Sequence, residues 1–113
     1  MNKKAIGLKW ETAAREYIKT CGYEIVCCNY RCFIGEIDII AKEQKTIIFI
    51  EVKFRSSRHF GTAVESVDYK KQQKIRRVAA HFLMTTYHTE SIPCRFDVLG
   101  FDKEKITYIK NAF

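Results

Sequence analysis

An α/β fold, with a mixed central sheet flanked by helices, is what this sequence predicts, on three observations. Apolar residues recur at helical spacing in two separate stretches. Five shorter stretches alternate, or run apolar, in the manner of strands. Their order is helix, three strands, helix, two strands, with no repeat, low-complexity tract or linker between them. The 113 residues, 47% of them hydrophobic, suit a single domain over 1–113 with one core and no covalent staples.

From about Lys4 to Cys21, the residues Ile6, Trp10, Ala13, Ala14, Tyr17 and Cys21 form one helical stripe, and Gly22 is its stop. Tyr23 to Cys28 reads as a short strand. Glu36 to Ala41 alternates, with Glu36, Asp38 and Ile40 on one face and Ile37 and Ile39 on the other. Thr46 to Arg55 contains the run from Ile47 to Phe54. It is apolar and β-branched enough to be covered on both faces near the middle of a sheet. Lys42 to Lys45 is short and polar, so these two strands form an antiparallel hairpin. A loop follows from Ser56 to Gly61. A second helix is predicted from about Glu65 to Tyr87, burying Val67, Ile75, Val78, Ala79, Phe82 and Thr86. Pro93 opens a fourth strand, Arg95 to Gly100, and Ile106 to Ile109 makes a fifth.

The formal net charge is +7, which favours a polyanionic partner: DNA, RNA or an acidic membrane. The basic start, Met1 to Lys4, leads into no apolar secretory segment, because Trp10, Glu11 and Arg15 interrupt it. No apolar run approaches the roughly 20 residues of a membrane span. A cytoplasmic protein is therefore expected. The five cysteines (Cys21, Cys27, Cys28, Cys32 and Cys94) are odd in number and form no zinc framework with His59, His81 or His88. They read as reduced thiols acting as small core residues.

The most informative charges interrupt the third strand. Glu51 and Lys53 sit in an otherwise apolar run and share a face. A charge in a covered strand costs several kcal/mol unless it is paired, hydrogen-bonded or metal-bound. A hairpin turning about the Gln44–Lys45 bond sets Asp38 opposite Glu51 and Glu36 opposite Lys53. Opposed carboxylates repel. A hard divalent cation, Mg²⁺ or Mn²⁺, removes that conflict, with the Val52 main-chain carbonyl as a third ligand. The other reading is a solvent-facing ladder pairing Glu36 with Lys53, although Ile47 and Phe49 share the face of Glu51.

Asp38, twelve intervening residues, then Glu51-Val52-Lys53 resembles the catalytic pattern of the PD-(D/E)XK nucleases. The wider sequence is similar to the bacterial YraN family of predicted nucleases. The matching pieces are Gly7-x-x-x-Glu11 with Ala14 and Tyr17, Gly22-Tyr23, Asn29-Tyr30-Arg31 and Gly35 to Ile40. They continue through Phe49 to Arg55, Phe60-Gly61, Val67 with Lys71-Gln72, and Arg95 to Val98. The archaeal Holliday-junction resolvases are a more distant likeness. Two positions depart from the pattern: Ile37 replaces the proline of the motif, and Trp10 stands where the family usually has glycine.

The resemblance implies a restriction-endonuclease-like αβββαβ core and metal-dependent phosphodiester hydrolysis of DNA, with branched or junction DNA as a candidate substrate. It assigns Asp38 and Glu51 as metal ligands, Lys53 as the catalytic lysine and Glu11 as a further acidic ligand, direct or through water. Glu11 lies at the rim of its helix stripe, Lys71 near the start of the second stripe and Gln72 beside it. Glu36, Lys71 and Gln72 are thus the expected surround. Arg55, Arg58, Lys70, Lys71 and Lys74 are the expected nucleic-acid contacts. A non-catalytic nucleic-acid-binding module of the same fold is the alternative. A homodimer is expected by analogy with two-fold resolvases. Arg95 and Asp97 share a face of the fourth strand and read either as a brace for the site or as an edge ion pair.

Overall fold

The computed structural model describes residues 3–55, 67–102 and 105–113; the side chains of residues 3–8 and of Arg55 lie outside that description. Helix α1 (Lys3–Thr20) leads into strands β1 (Glu24–Arg31), β2 (Glu36–Glu43) and β3 (Thr46–Arg55). Helix α2 (Tyr69–Tyr87), β4 (Cys94–Asp102) and β5 (Lys105–Ile109) complete the order. The five strands form one sheet in the order β1-β2-β3-β4-β5. Among the described residues only the β3–β4 pair is parallel, so the sheet is mixed and β3 is its centre. This is the expected αβββαβ arrangement with a fifth strand added. Among the described residues no helix is long and apolar enough to cross a membrane.

α1 ends at a left-handed Gly22 (φ 86°), where the Gly22 and Tyr23 N–H groups donate back to Lys19 and Ile18. Glycine adopts this conformation without the side-chain clash that other residues meet. Ala14 and Ile18 bury most deeply, while Cys21 is exposed beyond the helix end. Ile18 therefore completes the stripe in the place expected for Cys21. β1 runs three residues further than expected, to Arg31.

α2 is entered through Asp68, whose carboxylate accepts from the Lys71 N–H at 2.8 Å. This cap fixes the helix start after Val67, so Val67 is buried just before the helix rather than within it. Glu65 lies outside the described residues. Leu83 is buried and Thr86 is exposed, so the stripe ends at Leu83, three residues before the predicted Thr86.

The helices cover opposite faces. Ile47 and Phe49 pack with Ile75, Val78 and Phe82 of α2. Ile48 and Ile50 pack with Ala14 and Ile18 of α1. β3 is thus covered on both faces, as its sequence predicted.

Candidate active site

The β2–β3 hairpin closes on a two-residue turn, Gln44-Lys45, with Gln44 in the left-handed region (φ 55°). Every recorded pair, from Glu43↔Thr46 to Ile39↔Ile50, fits the expected register. Continued by one step, it sets Asp38 against Glu51. The recorded pairing stops there. The Val52 N–H, next in line for the ladder, donates at 2.8 Å to the Asp38 carboxylate. The Asp38 side chain thus takes a position where strand pairing would otherwise continue, and the two strands fork.

The fork has a visible cause in the packing. Ile37 packs under α2 and Ile39 under α1, although a regular strand places residues two apart on one face. The expected shared face of Ile37 and Ile39 is therefore not observed. The neighbouring strand breaks with it: Cys28 packs under α1 and Tyr30 under α2, with the intervening Asn29 left-handed at φ 55°. Both strands switch faces at one level, at Asn29 and Asp38.

Two carboxyl groups meet in this fork. Glu51 is 6% exposed, and burial first, then the Asp38 charge, raises its pKa from 4.5 to about 7. Burial also raises Asp38, against the lowering effect of the Val52 N–H. The contact between the two carboxyls acts in opposite directions, raising Glu51 and lowering Asp38. The ammonium groups of Lys53 and Lys71 lie 3.8 and 3.9 Å from Glu51 Oε1. The site is one of two carboxyls and two lysines at the C-terminal half of β3.

Glu11 stands on the α1 side. With Arg15, Asn29, Asp38 and Val52 it lines a cavity of about 210 Å³. Trp10 walls the same cavity, with its ring 4.4 Å from that of Phe54 and 4.9 Å from that of Phe101. The indole thus closes one side of the site where the sequence pattern led one to expect glycine. Among the described residues no three His, Cys, Asp or Glu side chains converge as a metal-binding group. Glu11 faces the cavity rather than joining the carboxyl pair.

Other expected residues are placed as follows. Glu36 does not meet Lys53: it pairs with its cross-strand neighbour Arg31 at 3.3 Å. The switch of faces at Asp38 breaks the simple alternation that set Glu36 beside Lys53. Gln72 donates from its amide to the Val67 carbonyl, so it braces the entry to α2. Lys70 and Lys74 are exposed on α2 beside Tyr69, Gln73 and Arg77. The Arg55 side chain and all of Arg58 lie outside the described residues. Cys27 and Cys32 pack against the α2 cluster and Cys28 against the α1 cluster, but Cys21 and Cys94 are exposed, so the expected core role holds for three of the five.

Asp97 is fully buried and far from idle. It accepts from the Arg95 guanidinium, the Tyr108 hydroxyl and the Asn111 N–H. Arg95 also donates to Tyr23 and to Glu43. β4 lies between β3 and β5, so this is no edge ion pair. Arg95 pairs with Ile48 and Asp97 with Ile50, the residue before Glu51. The cluster ties the hairpin, the end of α1 and the C-terminal segment together.

Phe33 was not signalled as functional by its residue pattern, yet it is 88% exposed in the turn between β1 and β2. The signal available was an aromatic set between Arg31 and Gly35 in a tight connection.

The family model described as "Uncharacterised protein family UPF0102" matches residues 10–101. A UPF0102 protein of Lachnoclostridium phytofermentans is 46% identical over 113 residues, covering 100% of this chain and 96% of the relative. One from Desulforamulus reducens is 48% identical, covering 99% of this chain and 98% of the relative. One from Alkaliphilus oremlandii is 49% identical, with both chains covered in full.

Proposed function

Because the chain belongs to the uncharacterised family UPF0102, we propose that its forked hairpin is a metal-dependent nuclease centre that hydrolyses phosphodiester bonds of DNA. The observation that carries this reading is the buried Asp38–Glu51 pair, in which burial and then the Asp38 charge raise the Glu51 carboxyl to about 7. Burying two carboxyls in contact is costly in a protein with no use for them. Hard oxygen donors of this kind suit Mg²⁺ or Mn²⁺. Residues on a β-strand present N–H and C=O to the same neighbour. The Val52 carbonyl therefore shares the forked edge with the N–H that binds Asp38 and is a third donor. Glu11, across the cavity, is placed to act through water. When bound, such an ion supplies Lewis-acid polarisation of the phosphate.

The chain's own groups do the rest. Lys53, at 27% side-chain exposure, reaches Glu51 from the outer part of β3. Its ammonium positions the attacking water and stabilises negative charge as it develops on the phosphate. Lys71, on α2, brings a second positive charge to the same carboxyl oxygen. Trp10 and Phe54 form an apolar wall of the cavity on the α1 side of the fork.

Incubation of the protein with branched, single-stranded and duplex DNA in Mg²⁺ or Mn²⁺, beside Asp38→Ala and Lys53→Ala, tests the proposal. Cutting by the native chain that disappears in both variants supports it. Cutting that persists unchanged in both sinks the catalytic assignment. Absence of cutting, with binding that weakens steeply as salt rises, assigns a non-catalytic nucleic-acid-binding module instead.

A further inference from the structure

The turn that joins β1 to β2 presents an aromatic ring to solvent on a rigid support. Cys32 and Gly35 exchange reciprocal backbone hydrogen bonds, N–H to O, at 2.9 and 3.2 Å. Phe33 and Ile34 are the two residues of that closed turn. Ile34 packs inward against the α2 cluster, while Phe33 is 88% exposed. An exposed ring of this size is left in water only at a cost, and a tight turn has many polar alternatives.

The ring is also held in position. It meets the His81 ring edge-on, with centroids 5.7 Å apart, and His81 Nδ1 shares a 2.6 Å hydrogen bond with the Tyr30 hydroxyl. The turn is pressed against α2 at Gly35, where an added Cβ would lie 2.9 Å from Lys74 Cε and 3.4 Å from Val78 Cγ2. The Lys74 stem therefore crosses the turn itself. Phe33, Arg31, Lys71 and Lys74 line one concavity of about 340 Å³, and among the described residues Glu36 is its one lining carboxylate. Lys71 also touches Glu51, so this concavity adjoins the carboxyl pair directly.

We propose that Phe33 is a stacking platform for an unpaired nucleobase, with Lys71 and Lys74 holding the phosphates beside it. This rests on the nuclease reading above and narrows its substrate to DNA that carries unpaired nucleotides. A free aromatic face accepts any base, and neighbouring cations hold the backbone without reading sequence. A paired duplex offers no free base face at this point, because its bases are already stacked on one another.

The test uses the full chain in chelator, so that binding is read without cutting. The probes are a splayed-arm DNA with 2-aminopurine in the unpaired stretch and the same sequence fully paired. Native protein should change the 2-aminopurine fluorescence of the splayed DNA. Phe33→Ala should abolish that change and weaken splayed-DNA binding by about 5- to 150-fold, the range expected for one stacked base. Its binding to paired duplex should be unchanged, and Phe33→Trp should restore both signals. Equal losses on both DNAs, or no loss on either, overturn the stacking role. If Phe33→Ala binds and cuts like the native chain, the stacking platform fails and the nuclease reading stands. If the native chain binds neither DNA, both fail. The exposure of Phe33 means that Phe33→Ala should melt like the native protein, which separates a binding defect from misfolding.

Discussion

Replacing Glu51 by glutamine should make the protein more stable at alkaline pH in the absence of divalent ions. The folded-state pKa of Glu51 is raised from 4.5 to about 7. Between those values the folded chain binds more protons than the unfolded one, so stability falls as pH rises through the window. Below the unfolded value both states are protonated and no penalty exists; above about 7 the penalty is complete. At 1.36 kcal/mol per pH unit the rise corresponds to roughly 3 kcal/mol. An unfolding entropy of about 2.1 cal/mol/K per residue gives a chain of this length about 4 °C per kcal/mol. Glutamine keeps a hydrogen bond to Asp38 without a charge, at some cost in fit. Glu51→Gln should therefore melt about 4 to 12 °C above the native protein at pH 8.5, and the gap should close near pH 4.5. Circular-dichroism melts in chelator at the two pH values measure this. An equal offset at both, or destabilisation at pH 8.5, would refute the reasoning.

Two further outcomes follow from the same geometry. Lys53→Ala should lower the cleavage rate by about 10²- to 10³-fold, in the range seen when one charge-stabilising donor is removed, while DNA binding in chelator persists; single-turnover assays beside binding titrations check this. Arg95→Ala strands the fully buried Asp97 charge and should cost about 3–5 kcal/mol in denaturant unfolding, against about 1–3 kcal/mol for Tyr108→Phe.

Much of the site was legible because a two-residue turn leaves the hairpin one register. Once Gln44 and Lys45 are the turn, Asp38 must approach Glu51 whatever the rest of the chain does. The central position of β3 was legible for a similar reason: only a strand covered on both faces needs so long an apolar run. What could not be read was the behaviour of β2 at Asp38. Alternation assumes an unbroken strand, and the paired switch of faces at Asn29 and Asp38 is a tertiary event, set by how two helices pack on opposite faces. The partner assigned to Glu36 failed with it. The Arg95–Asp97 pair was seen, but its meaning depended on β5 covering β4, and the pairing of a five-residue strand is weakly encoded. Phe33 escaped notice because an aromatic in a turn carries no period; its exposure shows only once the turn is closed.

Calorimetric titration of Mn²⁺ into the native protein near pH 7, in two buffers of different ionisation enthalpy, tests the central claim most directly. The protonated Glu51 must give up its proton to a cation, so binding at one site should release a fraction of a proton. Asp38→Asn and Glu51→Gln should each abolish the binding. Mn²⁺ that fails to bind the native chain, or that binds both variants with undiminished affinity, would contradict the assignment of this fork as a metal centre.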